Sequence, residues 1–291
     1  MIVSRLRAAG IIGTFSLVLS CGGRTALDGF IGERDEAGAK GRTDSGLICP
    51  DGGLPVAYLL DTTGALYTLN PATLKSTPLG TPRCGTPHTR DTGPWTISVT
   101  QTGTAYVVYK DWSLYAVDLR TLTCATTSFR AGQLDLQDNF GIAVSRTVGT
   151  ELLYVYGQPN DDGAPILAAM DLVSFVLSEV APIVPVPPTS SGGAYDVQAD
   201  LAGNIFAYTP DGFLVEVDSA TGIASEELST GFPPEPRGSF AIMTYQDDVY
   251  LFAGTEVARY NLTTHHATTL GTVTVAGYVV GASAAPCFGA P

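Results

Sequence analysis

Positive charge is scarce in this chain of 291 residues. It has 15 Lys and Arg against 28 Asp and Glu, which gives a formal net charge of −13. A surface that binds nucleic acid or anionic lipid through charge needs clustered Lys and Arg. The charge balance therefore argues against nucleic acid as a partner and against purely electrostatic attachment to a membrane.

Catalytic and metal-binding patterns are also few. The three histidines are His88 and the adjacent pair His265 and His266. Adjacent histidines on a strand point to opposite faces, so this pair chelates a metal poorly. The sequence also lacks a Gly-x-Ser-x-Gly elbow, a His-Glu-x-x-His motif and a phosphate-binding glycine loop. It predicts no resident cofactor and favours a non-enzymatic protein without deciding the question.

The N-terminus has the pattern of a secretory signal. Arg5 and Arg7 precede an apolar run that ends at Leu19, which is shorter than the roughly 20 residues of a membrane span. The following segment, Val18-Leu19-Ser20-Cys21-Gly22-Gly23, resembles a bacterial lipobox. This resemblance implies cleavage before Cys21 and lipid attachment to its thiol, which provides a stable anchor. The alternative is an ordinary signal peptide with an incidental cysteine.

These features predict three regions. Residues 1–21 form the lipoprotein signal, residues 22–48 a flexible tether rich in glycine and charge, and residues 49–291 the folded domain. The predicted location is the cell envelope, lipid-anchored on the periplasmic or cell-surface side.

A short alternating run closed by Asp or Asn recurs five times in the folded region. Its copies are Leu66-Tyr-Thr-Leu-Asn70, Leu114-Tyr-Ala-Val-Asp118, Leu167-Ala-Ala-Met-Asp171, Leu214-Val-Glu-Val-Asp218 and Val257-Ala-Arg-Tyr-Asn261. Spacings of 43 to 53 residues between short strands are typical of β-propeller blades. The closing Asp and Asn residues, often followed by Thr, suit side-chain-to-backbone bonds in a turn. We therefore interpret this series as structural.

Each run is the third strand of a predicted blade. Two strands precede it, the first starting at an aromatic residue as in Trp95–Val99, and a fourth follows, as at residues 125–129. The first blade lacks its innermost strand, and residues 278–283 supply a surplus one at the C-terminus. The prediction is an all-β, five-bladed propeller whose ring the C-terminal strand closes, which removes exposed edges.

The five cysteines fit this arrangement. If Cys21 carries lipid, four remain. Cys49 and Cys287 flank the seam of the ring, whereas Cys84 and Cys124 both lie near the second blade. Of the three possible pairings, we predict Cys49–Cys287 with Cys84–Cys124. Disulfides suit an oxidising, extracytoplasmic compartment.

Two sets of residues are candidates for ligand binding. Aromatic residues that open the innermost strands would surround one mouth of the channel, where they stack on a sugar or pack between blades. They are Trp95, Phe140, Tyr195, Phe240 and Tyr278. Loops and turns on the same face carry a second set, of which Asp111, Trp112 and Asp211 are the main candidates. Acidic residues there, including Asp161 and Asp162, form a weak candidate site for calcium, with solvated turns as the alternative.

The third-strand motif, best seen in Asp218-Ser-Ala-Thr-Gly222, resembles repeats of bacterial quinoprotein-like and YVTN-type propellers. The whole layout is similar to propeller-bearing lipoproteins of myxobacteria. This resemblance implies the architecture over residues 49–287, and related repeats serve enzymes, scaffolds and binding proteins alike.

The function predicted from the sequence is a monomeric, membrane-anchored module that binds protein or carbohydrate without catalysis. The alternative is a glycoside hydrolase or lyase with its site at the channel mouth. Such enzymes place two carboxylates about 5–10 Å apart. Paired acids facing one end of the channel would favour the enzyme, whereas a plugged or aromatic-lined channel would favour binding.

Overall fold

The computed structural model describes residues 56–84, 92–136, 140–145, 151–159, 164–184, 196–200, 203–209, 211–225, 227–232, 239–246 and 248–285. This part of the chain forms 20 strands, β1 to β20, and one short 3-10 helix at Gln133–Asp135. Within it, no helix has the length and hydrophobicity required to cross a membrane.

The strands form five antiparallel sheets of four strands each. Blade 1 contains β1 (Val56–Asp61), β2 (Leu66–Asn70), β3 (Lys75–Gly80) and β20 (Val279–Ala285). Blade 2 contains β4 (Pro94–Val99), β5 (Thr104–Tyr109), β6 (Leu114–Asp118) and β7 (Thr123–Thr126). Blade 3 contains β8 (Phe140–Val144), β9 (Leu153–Gly157), β10 (Ile166–Met170) and β11 (Leu177–Pro182). Blade 4 contains β12 (Asp196–Ala199), β13 (Asn204–Tyr208), β14 (Phe213–Asp218) and β15 (Leu228–Ser229). Blade 5 contains β16 (Phe240–Tyr245), β17 (Asp248–Ala253), β18 (Glu256–Asn261) and β19 (His266–Thr272).

The predicted five-bladed propeller is confirmed. The innermost strands β20, β4, β8, β12 and β16 contact one another in ring order, and the C-terminal β20 completes blade 1 by pairing with β1. Several predicted boundaries differ from the observed ones. The largest differences are that β20 covers Val279–Ala285 rather than 278–283, and that β7 covers Thr123–Thr126 rather than 125–129. The second difference arises because the turn after Asp118 closes within four residues, so the strand resumes early.

The hydrophobic core is divided into five clusters, one between each pair of neighbouring blades. In β1, Tyr58 packs toward blade 2 and Leu59 toward blade 5. Successive side chains of a strand point to opposite faces, so a strand covered on both faces is apolar throughout. This is why the second strand of each blade is a continuous run of buried residues.

The closing Asp or Asn of every third strand caps a turn, as predicted. In each copy one side-chain oxygen accepts backbone N–H bonds from the residues two and three positions later; for Asp118 these are Arg120 and Thr121. These bonds, led by the one from Arg120, lower the pKa of Asp118. The residue four positions after the Asp or Asn adopts the left-handed conformation in every blade, with φ between 53° and 69°.

A buried carboxylate closes the seam of the ring. Asp61 Oδ1 accepts bonds from Thr63 and from Ala65 N, while Oδ2 accepts the Tyr67 hydroxyl at 3.1 Å and Gly277 N at 3.0 Å. Tyr67 in turn accepts the N–H of the residue before Gly277 at 2.9 Å. Asp61 therefore connects the N-terminal part of blade 1 to the segment that leads into β20.

A contact at the outer rim, which we call an outer clasp, joins each blade to the next, and its chemistry differs at every junction. Blades 1 and 2 are joined by the predicted disulfide Cys84–Cys124. The other four clasps are hydrogen bonds: Gln133 with Phe175 and Leu177, Val184 with Gly222 and Ala224, Ala267 with Thr230, and Ser76 with Thr274. Cys49 and Cys287 lie outside the described residues.

The outermost strands are irregular or short. Three of them carry a β-bulge at the equivalent position. In each, one residue of the outermost strand has no paired residue in the third strand; these residues are Leu79, Val180 and Leu270. The other two, β7 and β15, have four and two residues. Bulges and short edge strands prevent edge-to-edge pairing with another sheet.

Candidate functional site

Polar side chains fill the centre of the ring. Strands β4 and β12 belong to the non-adjacent blades 2 and 4, and they are bonded across the axis. Thr96 Oγ1 donates to Asp196 Oδ1 at 2.5 Å, and Gln198 Nε2 donates to Ile97 O at 3.1 Å. Ser283 of β20 donates to Gln198 Oε1 at 3.2 Å. We call this set the axial plug, and it closes the channel at this depth.

Asp196 is the acid at the centre of the axial plug. Its Oδ2 accepts Ile242 N at 2.8 Å, so the carboxyl group connects blades 2, 4 and 5. Burial raises its pKa to about 7, while the bonds from Thr96 and Ile242 act in the opposite direction. This carboxyl group is buried, and its bonds hold three blades in position.

A second acid, Asp200, directly follows the other end of β12. Its carboxylate accepts the backbone N–H of Asn204 at 2.8 Å and the Asn204 amide at 2.9 Å. It is four residue steps from Asp196 along extended chain, which corresponds to about 13 Å. Asp196 and Asp200 therefore do not form the close pair that glycosidases use.

Aromatic rings form a continuous chain at the end where the innermost strands begin, which we call the mouth. Along this chain, neighbouring ring centroids lie 5.2–6.5 Å apart. In order, the rings are Phe129, Phe140, Trp112, Trp95, Phe240 and Tyr208. Edge-to-face contacts at such distances are favourable. The chain runs from blade 3 over blade 2 to blades 5 and 4.

Trp95 is the ring that spans the mouth. It begins β4 in blade 2, yet its ring contacts Phe240 of blade 5 at 6.0 Å, although blade 1 lies between these blades in the ring. It is partly exposed. Its indole N–H is shielded from solvent and has no hydrogen-bond partner among the described residues. A buried donor without a partner costs about 1–3 kcal/mol.

Trp112 occupies a turn position that elsewhere holds glycine. In the β5–β6 turn, Trp112 N donates to Tyr109 O, and φ of Trp112 is 63°. The matching residues of blades 1 and 4 are Gly64, at φ 82°, and Gly212, at φ 80°, with the same hydrogen bond. A residue with a side chain loses roughly 1–2 kcal/mol in this conformation.

Polar groups surround the two indoles. The Lys110 ammonium lies 6.0 Å from the centre of the Trp95 ring, and Lys110 N donates to Gly93 O. Asp111 is exposed, and its Oδ1 accepts both the backbone N–H and the hydroxyl of Ser113. The mouth thus combines partly exposed aromatic surface with one cation and one carboxylate.

The structure separates the predicted site residues. Trp95 and Trp112 lie together with ring centroids 6.5 Å apart, and Asp111 is beside them. Phe140 and Phe240 touch this pair but are buried in the interfaces between blades, which is the packing role. Tyr195 lies outside the described residues.

Two other predicted residues lie apart from the indoles. Tyr278 is partly exposed and pairs through its backbone with Thr62 at the seam. Asp211 is exposed in the β13–β14 turn. The pKa of Glu227 is raised, mainly because Glu227 is partly buried and secondly because of the nearby charge of Asp211. Among the residues that the structure describes, no group of three or more His, Cys, Asp or Glu is placed to hold a metal ion. Asp161 and Asp162 are outside that part.

The axial plug was not foreseen from the sequence. Its signal was the alternation of Asp196, Gln198 and Asp200 along an innermost strand, where the equivalent positions of β8 carry Gly141 and Ala143. The left-handed conformation of Trp112 was also missed, and aligning the turns of blades 1, 2 and 4 would have indicated it.

Comparisons with known proteins support the fold alone. No protein-family model matches the chain, and no curated protein matches it. Among 461 matching solved chains is one from the nidogen/laminin complex, with a TM-score of 0.50 and 12% identity, covering 81% of this chain and 99% of that one. Another, of unknown function from Bacteroides caccae, has a TM-score of 0.40 and 10% identity, covering 75% of this chain and 73% of that one.

Proposed function

We propose that this chain is a membrane-anchored, extracytoplasmic lipoprotein whose propeller binds a protein or carbohydrate ligand at its mouth without catalysis. The observation that carries the binding role is the axial plug, together with the aromatic chain above it. A channel filled by hydrogen-bonded side chains does not favour a substrate site between two acids. Partly exposed aromatic side chains on a rigid scaffold suit the recognition of a ligand.

The location rests on two independent features. The lipobox-like segment ending at Cys21 supports lipid attachment, and the Cys84–Cys124 disulfide fits an oxidising compartment. Metabolic labelling with a fatty acid analogue tests the anchor: label should enter the protein and be lost in Cys21→Ala. Label that persists in Cys21→Ala would contradict attachment at this residue.

A protein ligand is one of the two classes proposed. The nidogen/laminin complex is an assembly of proteins that includes a propeller chain similar in fold to this one. At 12% identity this likeness concerns the fold, so it adds no contact residues to the proposal.

A screen on the processed chain, residues 22–291, tests the binding role. Glycans and extracytoplasmic protein domains would be tested by thermal shift and calorimetry, with calcium and a chelator as separate arms for the weaker cation hypothesis. Saturable binding without turnover of the ligand is expected. Hydrolysis or elimination of a bound glycan would favour the alternative, a glycoside hydrolase or lyase.

A further inference from the structure

Both tryptophans of the chain lie at the same place in the fold. The whole chain contains two, and both lie at the mouth with their ring centroids 6.5 Å apart and their planes inclined by 68°. Inclined indoles form a corner with two aromatic walls rather than a flat patch.

The backbone of Trp112 indicates that this corner has a role beyond packing. Blades 1 and 4 use glycine at the same turn position, so the turn itself needs no side chain there. Keeping a bulky residue in a left-handed conformation is unfavourable. Here the strained residue supplies one wall of the corner and lies 5.2 Å from Phe140, which fixes its ring.

The chemistry around the corner suits a sugar better than a broad protein interface. The exposed large hydrophobic residues of the described chain lie on the outermost strands and on turns other than those that carry the indoles. They are Leu152, Val173, Val176, Val180, Val184, Ile223 and Leu270. What surrounds the indoles is Lys110 and Asp111, charged groups that hydrogen-bond hydroxyls.

We propose, resting on the binding function above, that Trp95 and Trp112 form a subsite for the pyranose ring of a neutral saccharide. The apolar C–H face of the sugar stacks on an indole, and its hydroxyls reach Lys110 and Asp111. A neutral sugar is specified because the net charge of −13 repels acidic glycans at long range.

The chain provides a matched control for the central variant. Phe175 also holds a left-handed conformation, with φ 56°, and packs against the same hydrophobic cluster as Trp112, but in a turn at the opposite end of the blades. Trp112→Gly and Phe175→Gly therefore both relieve strain and both remove an aromatic ring from one cluster. They differ in whether the ring lies at the mouth.

The test is a titration of residues 22–291 with glucose, galactose, mannose, N-acetylglucosamine and their oligomers, with glucuronic acid for comparison. Both fluorescent indoles are in the subsite, so tryptophan emission of the wild type reports occupancy directly, and calorimetry gives the Kd of the variants. We expect saturable binding of a neutral saccharide that Trp112→Gly weakens by about tenfold or more and Phe175→Gly leaves unchanged.

Two results would overturn the proposal. If none of these sugars changes the tryptophan emission or gives a heat of binding, the proposed ligand class is wrong. The proposed binding function would then stand with a protein as the ligand. If both glycine variants weaken binding equally, the subsite is not at the mouth. Turnover of the sugar would instead refute the non-catalytic function itself.

Discussion

At the scale of single residues, Asp196 should make the stability of the propeller depend on pH. Burial raises its pKa from the ordinary 3.8 to about 7 in the folded protein, so the fold favours the neutral carboxyl. Its contribution to stability is complete below about pH 4 and declines as the pH rises to about 7, because only the unfolded state releases the proton over that window.

The substitution Asp196→Asn tests this directly. The amide oxygen still accepts Ile242 N and the amide nitrogen donates to Thr96, but the side chain no longer titrates. Denaturant unfolding from pH 4 to 8 should show the variant gaining stability relative to the wild type as the pH rises. Parallel stability curves for the two proteins would contradict the assignment.

A second residue-scale effect concerns the left-handed position after each third strand. His265 occupies it with φ 53° and is exposed, whereas blade 4 has Gly222 there. His265→Gly should raise the free energy of unfolding by about 1 kcal/mol, since glycine adopts this conformation without strain.

The reverse change is the control for that prediction. A Cβ at Gly222 would lie 2.6 Å from Pro182 O and 2.7 Å from the Cβ of Ala181, so Gly222→Ala should destabilise the protein. Equal effects of the two substitutions in urea unfolding would show that conformation at this position is unimportant.

At the scale of the elements, the outer clasps decide how firmly each blade holds its neighbour. The clasp between blades 1 and 2 is covalent, and the Cys84–Cys124 bond encloses a segment with a sequence separation of 40. By the chain-entropy model, Cys84→Ala with Cys124→Ala should lower stability by about 4 kcal/mol. Thermal unfolding with and without reductant measures this loss of stability. The double variant has no bond between these positions for the reductant to break, so the part of the reductant's effect that comes from this bond should be absent.

The seam offers a second test at this scale. In Asp61→Asn, an NH2 group would face either the bonds from Tyr67 and Gly277 or those from the turn, and donors cannot pair with donors. A loss of about 2–3 kcal/mol is expected, since buried donors are left without acceptors. Hydrogen exchange should increase over β20 first.

Asp111→Asn is the matched control for the seam variant. Asp111 also lies in a turn between the second and third strands of a blade, but its bonds to Ser113 are local and use one oxygen, which the amide retains. Its stability should stay within about 0.5 kcal/mol of the wild type. Faster exchange of β20 in this variant as well would show that the seam does not depend on Asp61.

At the scale of the whole molecule, the architecture was predictable because its signals are local and repeated. Alternating strands, the five capping Asp or Asn residues and the surplus C-terminal strand each depend on a few neighbouring residues. The axial plug was not predictable, because the bond between Thr96 and Asp196 joins residues 100 positions apart. The corner of Trp95 and Trp112 depends on the left-handed backbone of Trp112, a conformation that is sterically unfavourable for a residue with a side chain.

The blunted outer edges lead to a prediction about association. With β-bulges at Leu79, Val180 and Leu270 and only two to four residues in β7 and β15, none of the five described edges is a long regular template. Light scattering of residues 22–291 should give the mass of a monomer over a wide concentration range. A concentration-dependent dimer would show that another surface mediates association.

The chain enters the described ring at the end opposite the mouth. β1 begins at Val56, which pairs with Ala285 at the far end of β20, whereas the indoles lie where the innermost strands begin. The start of β1 and the indole corner are therefore at opposite ends of the blades, so a ligand held by Trp95 and Trp112 would not contact Val56.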